Sequence, residues 1–247
     1  MSGFLRALRF LTIIPAGRPA ETSPAEMAGS LYYFGLAGAV LGGILALVGL
    51  GTDALALGGA GNVLVISLLI ILTGGLHLDG LADTADGIFS GRPREQKLEI
   101  MRDSRIGVMG VLALWMALTL KVALLGQFAA LDKARMLLFM PAAGRAVMVL
   151  AAVTFPYARK EGGKGSFVQG AGKGPILVNG VFITVIAFLL FGLPGLMLLL
   201  ILLGTAKILS DRIALILGGL TGDTYGALCE VTEVLVLLLG AVLKTFL

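Results

Sequence analysis

The sequence predicts an all-α fold: a polytopic integral membrane helical bundle of about seven transmembrane helices behind an N-terminal interfacial helix. Three observations carry that expectation. Hydrophobic residues make up 57% of the chain and charged residues 14%, whereas soluble domains carry about a quarter charged. The apolar residues fall in long runs, and the mean hydropathy is +0.99. The 36 glycines suit helices that approach closely in lipid. At 247 residues the chain makes a single membrane domain, 1–247, with no room for a separate soluble one.

The first residues, MSGFLRALRFLTIIP, set Arg6 and Arg9 among apolar positions without a small-residue cleavage site. They predict an amphipathic interfacial helix rather than a removable signal. Residues 31–50 form the first predicted span, with a stripe of Gly35, Gly38, Gly42 and Gly43 that could also pair copies into a homo-oligomer. A loop over 51–62, free of Lys and Arg, leads to a second span, 63–77. Spans three and four cover 108–128 and 135–155. A polar loop, 156–175, precedes spans five and six, 176–191 and 196–209, divided by Gly192-Leu193-Pro194-Gly195. The last span covers 228–246.

Charge placement orients this string. With the amino terminus inside, Arg6, Arg9 and Arg18, the charged stretch after residue 77, the 156–175 loop and Arg212 share the cytoplasmic side. Only Lys133 and Arg135 fall on the wrong side. The expected location is the cytoplasmic (inner) membrane, multi-pass, among membrane lipids, with the polar site facing the cytoplasm. No nucleic-acid partner is expected.

The chemistry concentrates in GGLHLDGLADTADGIFSGRPREQKLEIMRDSRIGVMG, residues 74–110. Asp79, Asp83 and Asp86 recur at i, i+4, i+7 and share one helical face. Like charges so arranged repel, and a divalent cation that favours hard oxygen ligands, magnesium or manganese, would turn repulsion into binding. In a soluble protein a solvated acidic face would be the plainer reading; in so apolar a chain, ionisable groups near the membrane point to function. One histidine, His77, and one cysteine, Cys229, exclude Cys- or His-rich metal sites and an intrachain disulfide. A second acidic stretch, GGLTGDTYGALCEVTE, places Asp223 and Glu230 seven apart on one face, with Glu233 at its edge. Asp223 and Glu230 read as further metal ligands beside Asp79, Asp83 and Asp86, or Asp223 as the cap of the last helix, with Thr221 the alternative cap. His77 reads as a packing or orienting histidine, or as a general base.

Arg92, Arg94, Lys97, Arg102 and Arg105 follow the aspartates, and Arg102-Asp103-Ser104-Arg105 forms a polar knot just before a span. Guanidinium groups suit phosphate oxygens, with anionic headgroups the alternative; Lys97 reads as a lipid or solvent contact. Arg145, inside the fourth span, must face a phosphate or an aspartate or snorkel. Arg159 and Lys164 add positive charge in the 156–175 loop, whose GKGSF and GAGKG are weak phosphate-cradle signals. No GxxxxGK[ST] loop occurs, so the chain is no P-loop ATPase. Carboxylates, a divalent metal and arginines together describe phosphoryl transfer.

At these residues the chain resembles the cobalamin synthase family, the adenosylcobinamide-GDP ribazoletransferases. GGLHLDGLADTADGIFSGR with MRDSRIGVMG, then LGGLTGDTYGALCE, are similar to that family's two main signatures, and FLTIIP and PYARKEGGKGSF extend the likeness over most of the chain. The resemblance implies a magnesium-dependent membrane enzyme of vitamin B12 nucleotide-loop assembly. Its substrates would be adenosylcobinamide-GDP and α-ribazole or its 5′-phosphate, with GMP released. By that likeness Asp79, Asp83, Asp86 and Asp223 match motif carboxylates and Arg102, Asp103 and Arg105 match the polar knot. A partial likeness to CDP-alcohol phosphotransferases, at Asp83-Thr84-Ala85-Asp86-Gly87, supports a lipid-alcohol alternative. A cation-coupled transporter is the third reading, against which stand acids at span ends and the lack of an internal repeat.

Overall fold

The computed structural model describes residues 2–17, 22–159, 165–168 and 171–243. Ten α-helices carry the chain among them: α1 (Gly3–Leu11), α2 (Pro24–Ser30), α3 (Phe34–Ala54), α4 (Gly58–Thr73), α5 (Leu76–Phe89), α6 (Arg94–Ile100), α7 (Val108–Leu125), α8 (Ala130–Thr154), α9 (Gly174–Leu217) and α10 (Gly222–Leu243). The all-α, polytopic expectation holds. Five helical runs are long and apolar enough to cross a membrane, or six when the bent α4–α5 pair is taken as one broken span. The expected fifth and sixth spans are the two arms of α9. Gly192 has φ 63°, ψ −143°, which breaks the helix. A Cβ on Gly195 would run into the carbonyl of Ala187, eight residues back and about 12 Å away along a straight helix, so the chain folds back there.

The buried axis of the bundle is α8, whose residues from Lys133 to Ala152 are almost all buried. Helix α3 lies directly against it. A Cβ on Gly38 would lie 2.8 Å from the Ala142 Cα, and one on Gly42 2.8 Å from the Leu138 Cα. The glycine stripe thus serves a contact inside the chain rather than between copies: Gly35, Gly38 and Gly42 all face inward, and Gly43 alone opens outward. The out-of-place Lys133 is also explained, because it is buried and bonds Asp53 at the end of α3 at 2.6 Å.

The N-terminal helix is amphipathic, as expected, and lies against the bundle. Its apolar face, Ala7, Leu8 and Leu11, packs on Leu31, Phe34 and Ala37 of the bundle, and Arg6 pairs with Glu26 of α2. The second expected span ends early. Gly74 and Gly75 both adopt left-handed φ (59° and 71°), and α5 leaves α4 at 90°. His77 therefore belongs to α5, together with the three aspartates.

Candidate active site

Two glycines bring the acidic helices together. A Cβ on Gly80 of α5 would lie 2.6 Å from the Asp223 carbonyl oxygen, and one on Gly226 of α10 would lie 3.2 Å from the His77 Cα. Only the absence of side chains lets these backbones touch. The contact sets Asp79 and Asp83 on one wall and Asp223 on the other, with Asp83 close enough to feel the charges of Asp79, Asp223, Asp86 and Arg159.

Asp223 is held from behind. The loop after α8 pairs with the loop before α10, Leu220 N–H donating to Pro156 O at 2.8 Å and Ala158 N–H to Leu220 O at 2.7 Å. Gly218 and Gly219, at φ 71° and 142°, permit that approach. This pairing delivers Arg159, whose Nη2 donates to Asp223 at 2.7 Å and to Met101 O at 3.3 Å. Thr221, not Asp223, caps α10: its hydroxyl accepts from Thr224 N–H at 3.3 Å, and the Thr224 hydroxyl accepts from Thr221 N–H at 2.8 Å.

Asp79 and Asp83 open onto a groove of about 680 Å³, also lined by Thr12, Thr73 and Ser104. Asp79 lines in addition an enclosed cavity of about 110 Å³, shared with His77 and Asp223. Among the described residues neither Asp79 nor Asp83 makes an ion pair.

The structure assigns several expected site residues elsewhere. Asp86 shares the helical face of Asp79 and Asp83, but its carboxylate accepts from Gly107 N–H at 2.7 Å and Gly110 N–H at 2.8 Å. It caps α7, and Cβ atoms on Gly107 and Gly110 would collide with it. Glu230 lies two turns below Asp223, about 10 Å into the bundle, and bonds Lys121 of α7 at 2.6 Å. Lys121 also pairs with Glu233, and Glu233 with Arg145. Arg145 is fully buried and also reaches His77 Nδ1 at 3.1 Å, so it faces neither a phosphate nor an aspartate. This network of opposite charges joins α5, α7, α8 and α10 below the site.

In the polar knot Arg105 turns back on Asp103, Nη2 to Oδ2 2.6 Å, and is itself 88% exposed. That pairing holds the Asp103 carboxyl down at about 2. Arg92 and Arg102 are exposed at the rim. Lys164 lies outside the described residues. Lys97 is no lipid contact: its Nζ donates to the Ile88 and Gly87 carbonyls, 2.6 and 3.4 Å, and closes the C-terminus of α5.

Lys121 went unread in the sequence, and Arg94 and Ser104 take places that their reading there did not assign. Lys121 was signalled by being a lone lysine in an apolar run. Arg94 ties α6 to Leu217 O (2.6 Å) and Ala158 O (3.0 Å), a role nothing local announces. Ser104 faces the groove from within the knot.

Magnesium can be tested against these donors. Among the described residues no three His, Cys, Asp or Glu side chains gather as a metal cage. Magnesium, however, is commonly held by one or two carboxylates, with substrate phosphates and waters completing the shell. Asp79 and Asp83 at one wall, with Asp223 across from them, fit that pattern in number and chemistry.

Fold and site thus define a polytopic membrane protein with a carboxylate–arginine centre where a helix pair meets an open groove. The chain belongs to the cobalamin-5-phosphate synthase (CobS) family, whose model matches residues 3–241. It is 45% identical over 233 residues to the adenosylcobinamide-GDP ribazoletransferase of Desulforamulus reducens, covering 94% of this chain and 93% of that one. The protein of the same name from Roseiflexus sp. is 44% identical over 94% of this chain and 86% of its own. That from Syntrophobacter fumaroxidans is 41% identical over 96% of both. No solved structure matches.

Proposed function

We propose that this protein is an adenosylcobinamide-GDP ribazoletransferase. It joins adenosylcobinamide-GDP to α-ribazole, or to its 5′-phosphate, and releases GMP in the assembly of the cobalamin nucleotide loop. Family membership over nearly the whole chain supports the activity, and one observation carries the site: Asp79 and Asp83 face Asp223–Arg159 across the Gly80–Gly226 contact, beside an open groove.

The transfer forms one P–O bond and breaks another. A ribose hydroxyl of the acceptor attacks the phosphorus attached to cobinamide, and the bond from that phosphorus to GMP breaks, so the hydroxyl proton must leave. Asp79, Asp83 and Asp223 would hold magnesium, which would offset the negative charge of the reacting phosphates. Asp83, which makes no ion pair among the described residues, takes the hydroxyl proton on its Oδ. Arg159 keeps Asp223 in place and lends positive charge to the departing GMP phosphate. Ser104 orients a phosphate oxygen at the groove wall. The groove, open to one side, gives the large corrin ring somewhere to lie without burial.

The site faces the cytoplasm in this reading. The positive-inside pattern supports it, and of its two exceptions Lys133 is neutralised by Asp53 and Arg135 pairs with Asp132.

The test uses purified full-length protein in detergent with adenosylcobinamide-GDP, α-ribazole and magnesium. One GMP is expected per cobamide formed, and chelation by EDTA should stop it. No GMP from any of these mixtures would remove the proposal. Product from GDP- or CDP-linked lipids instead would favour a lipid-alcohol enzyme.

A further inference from the structure

The enclosed cavity beside the carboxylates has no part in the transfer chemistry described so far. Most of its wall is aromatic and apolar, with Phe10, Phe34, Phe167 and Tyr225 beside Met148 and Ala152 of α8, and His77, Asp79 and Asp223 form the polar side. Phe10 stacks on Phe34 at 5.8 Å between centroids and meets the edge of Phe167 at 5.4 Å. Its volume is about 110 Å³. Apolar cavities of about 150 Å³ accept a benzene ring, so the space suits a flat ring once the side chains around it adjust.

Two polar atoms in that wall are unmatched among the described residues, His77 Nε2 and the Tyr225 hydroxyl, and the histidine has a defined direction. His77 is 2% exposed, and its Nδ1 lies 3.1 Å from Arg145 Nη2. A guanidinium only donates, so Nδ1 accepts and the ring proton sits on Nε2. That Nε2–H is buried without a partner among the described residues. A buried donor of this kind is satisfied by an occupant carrying a lone pair in its own plane.

We propose that this cavity binds the aromatic base of the acceptor nucleoside. The azole ring inserts among Phe10, Phe34 and Phe167 and accepts a hydrogen bond from His77 Nε2–H on its unsubstituted ring nitrogen. This deepens the activity proposed above and rests on the acceptor being a ribazole. The chemistry suits an azole, whose in-plane lone pair meets the His77 donor while its apolar faces lie against the phenylalanines. The ribose then emerges past Asp79, which with Phe10 and Leu76 lines both cavity and groove, and presents its hydroxyl to the carboxylates. Arg145 is a positioning residue in this arrangement. It sets the His77 tautomer from inside the bundle.

Two measurements on the full-length protein decide the matter. Ala152 is 6% exposed in the cavity wall, and Ala152→Met fills the space. The KM for α-ribazole should rise about tenfold or more while that for adenosylcobinamide-GDP holds. An unchanged KM for α-ribazole, or equal rises for both substrates, overturns the assignment. The second measurement needs no variant. Benzimidazole should inhibit wild-type turnover competitively against α-ribazole and not against the GDP substrate. Indole, whose ring nitrogen donates rather than accepts, should be about tenfold weaker. Competition against the GDP substrate, or equal potency of the two probes, overturns it. If the wild type releases no GMP at all, the activity reading falls by itself. Calorimetric binding of benzimidazole, present in the wild type and lost in Ala152→Met, would still establish the cavity, and its absence from the wild type would refute it.

Discussion

Gly80 of α5 lies against the backbone of Asp223 on α10, so close that a Cβ there would sit 2.6 Å from the Asp223 carbonyl oxygen and 3.0 Å from its Cα. The obstacle is main chain, which cannot rotate aside as a flexible side chain would. Gly80→Ala must therefore part the two helices and with them the two acidic walls. GMP release should drop by about two orders of magnitude, because a misplacement of about 1 Å is enough for that. Overpacking should destabilise the fold by about 1–3 kcal/mol. The control is Gly43→Ala, where a Cβ meets nothing within 4 Å. Turnover and thermal unfolding in detergent separate the two variants.

Asp83 and Asp86 are three residues apart on one face yet should behave differently. Asp83→Asn removes a carboxylate that faces the groove and bears no structural bond among the described residues. Turnover should fall about a thousandfold or more with the melting temperature unchanged. Asp86→Asn replaces one of two acceptors on the α7 N-terminus with an amide that cannot accept. The melting temperature should fall, for a cost of about 1–2 kcal/mol, with turnover less affected. Retained activity in Asp83→Asn would take that residue out of the chemistry.

Which parts of this arrangement were legible follows from what a periodic pattern encodes. Spacing at i, i+4, i+7 places Asp79, Asp83 and Asp86 on one face, and it does so correctly. It says nothing about which neighbour covers each end of that face, and α7 covers Asp86. The same holds for Asp223 and Glu230. Their shared face is real, but at two turns' separation one lies in the site and the other lies among buried cations. The break at Gly192 was readable because glycine and proline mark it locally. The bend at Gly74-Gly75 carried the same kind of mark inside an apolar run, where the length needed to span masked it. The Arg159–Asp223 bond depends on two loops 64 residues apart pairing as a bridge, which no local signal announces.

The knot loop should respond to pH in one direction. Arg105 holds Asp103 at about 2, below its ordinary value of 3.8, through side-chain and backbone hydrogen bonds. A depressed carboxyl stabilises the folded loop above its unfolded pKa and loses that contribution as pH falls through the folded one. The ordering should therefore be complete above about pH 4 and fade toward about pH 2. The Arg105 amide, which donates to Asp103 Oδ1 at 3.0 Å, reports it by hydrogen exchange. Asp103→Asn should remove the pH dependence of that amide's protection. Because the pair is exposed, added salt should weaken it as well.

The buried network offers a sharper test of what holds α7 in the bundle. Lys121 is 1% exposed and sits between Glu230 and Glu233, while Arg145 shares Glu233. With two cations and two carboxylates the cluster is neutral as it stands. Lys121→Met leaves an extra buried negative charge, and removing one partner of a buried pair costs about 3–5 kcal/mol. Glu230→Gln alone leaves Lys121 with Glu233 and should cost less. The double variant Lys121→Met/Glu230→Gln restores neutrality, since Arg145 still balances Glu233. It should recover part of the loss, giving a coupling energy of about 1–3 kcal/mol in a double-mutant cycle read by unfolding in detergent. Additive effects would mean that Lys121 and Glu230 do not depend on each other, and that Glu233 alone partners Lys121.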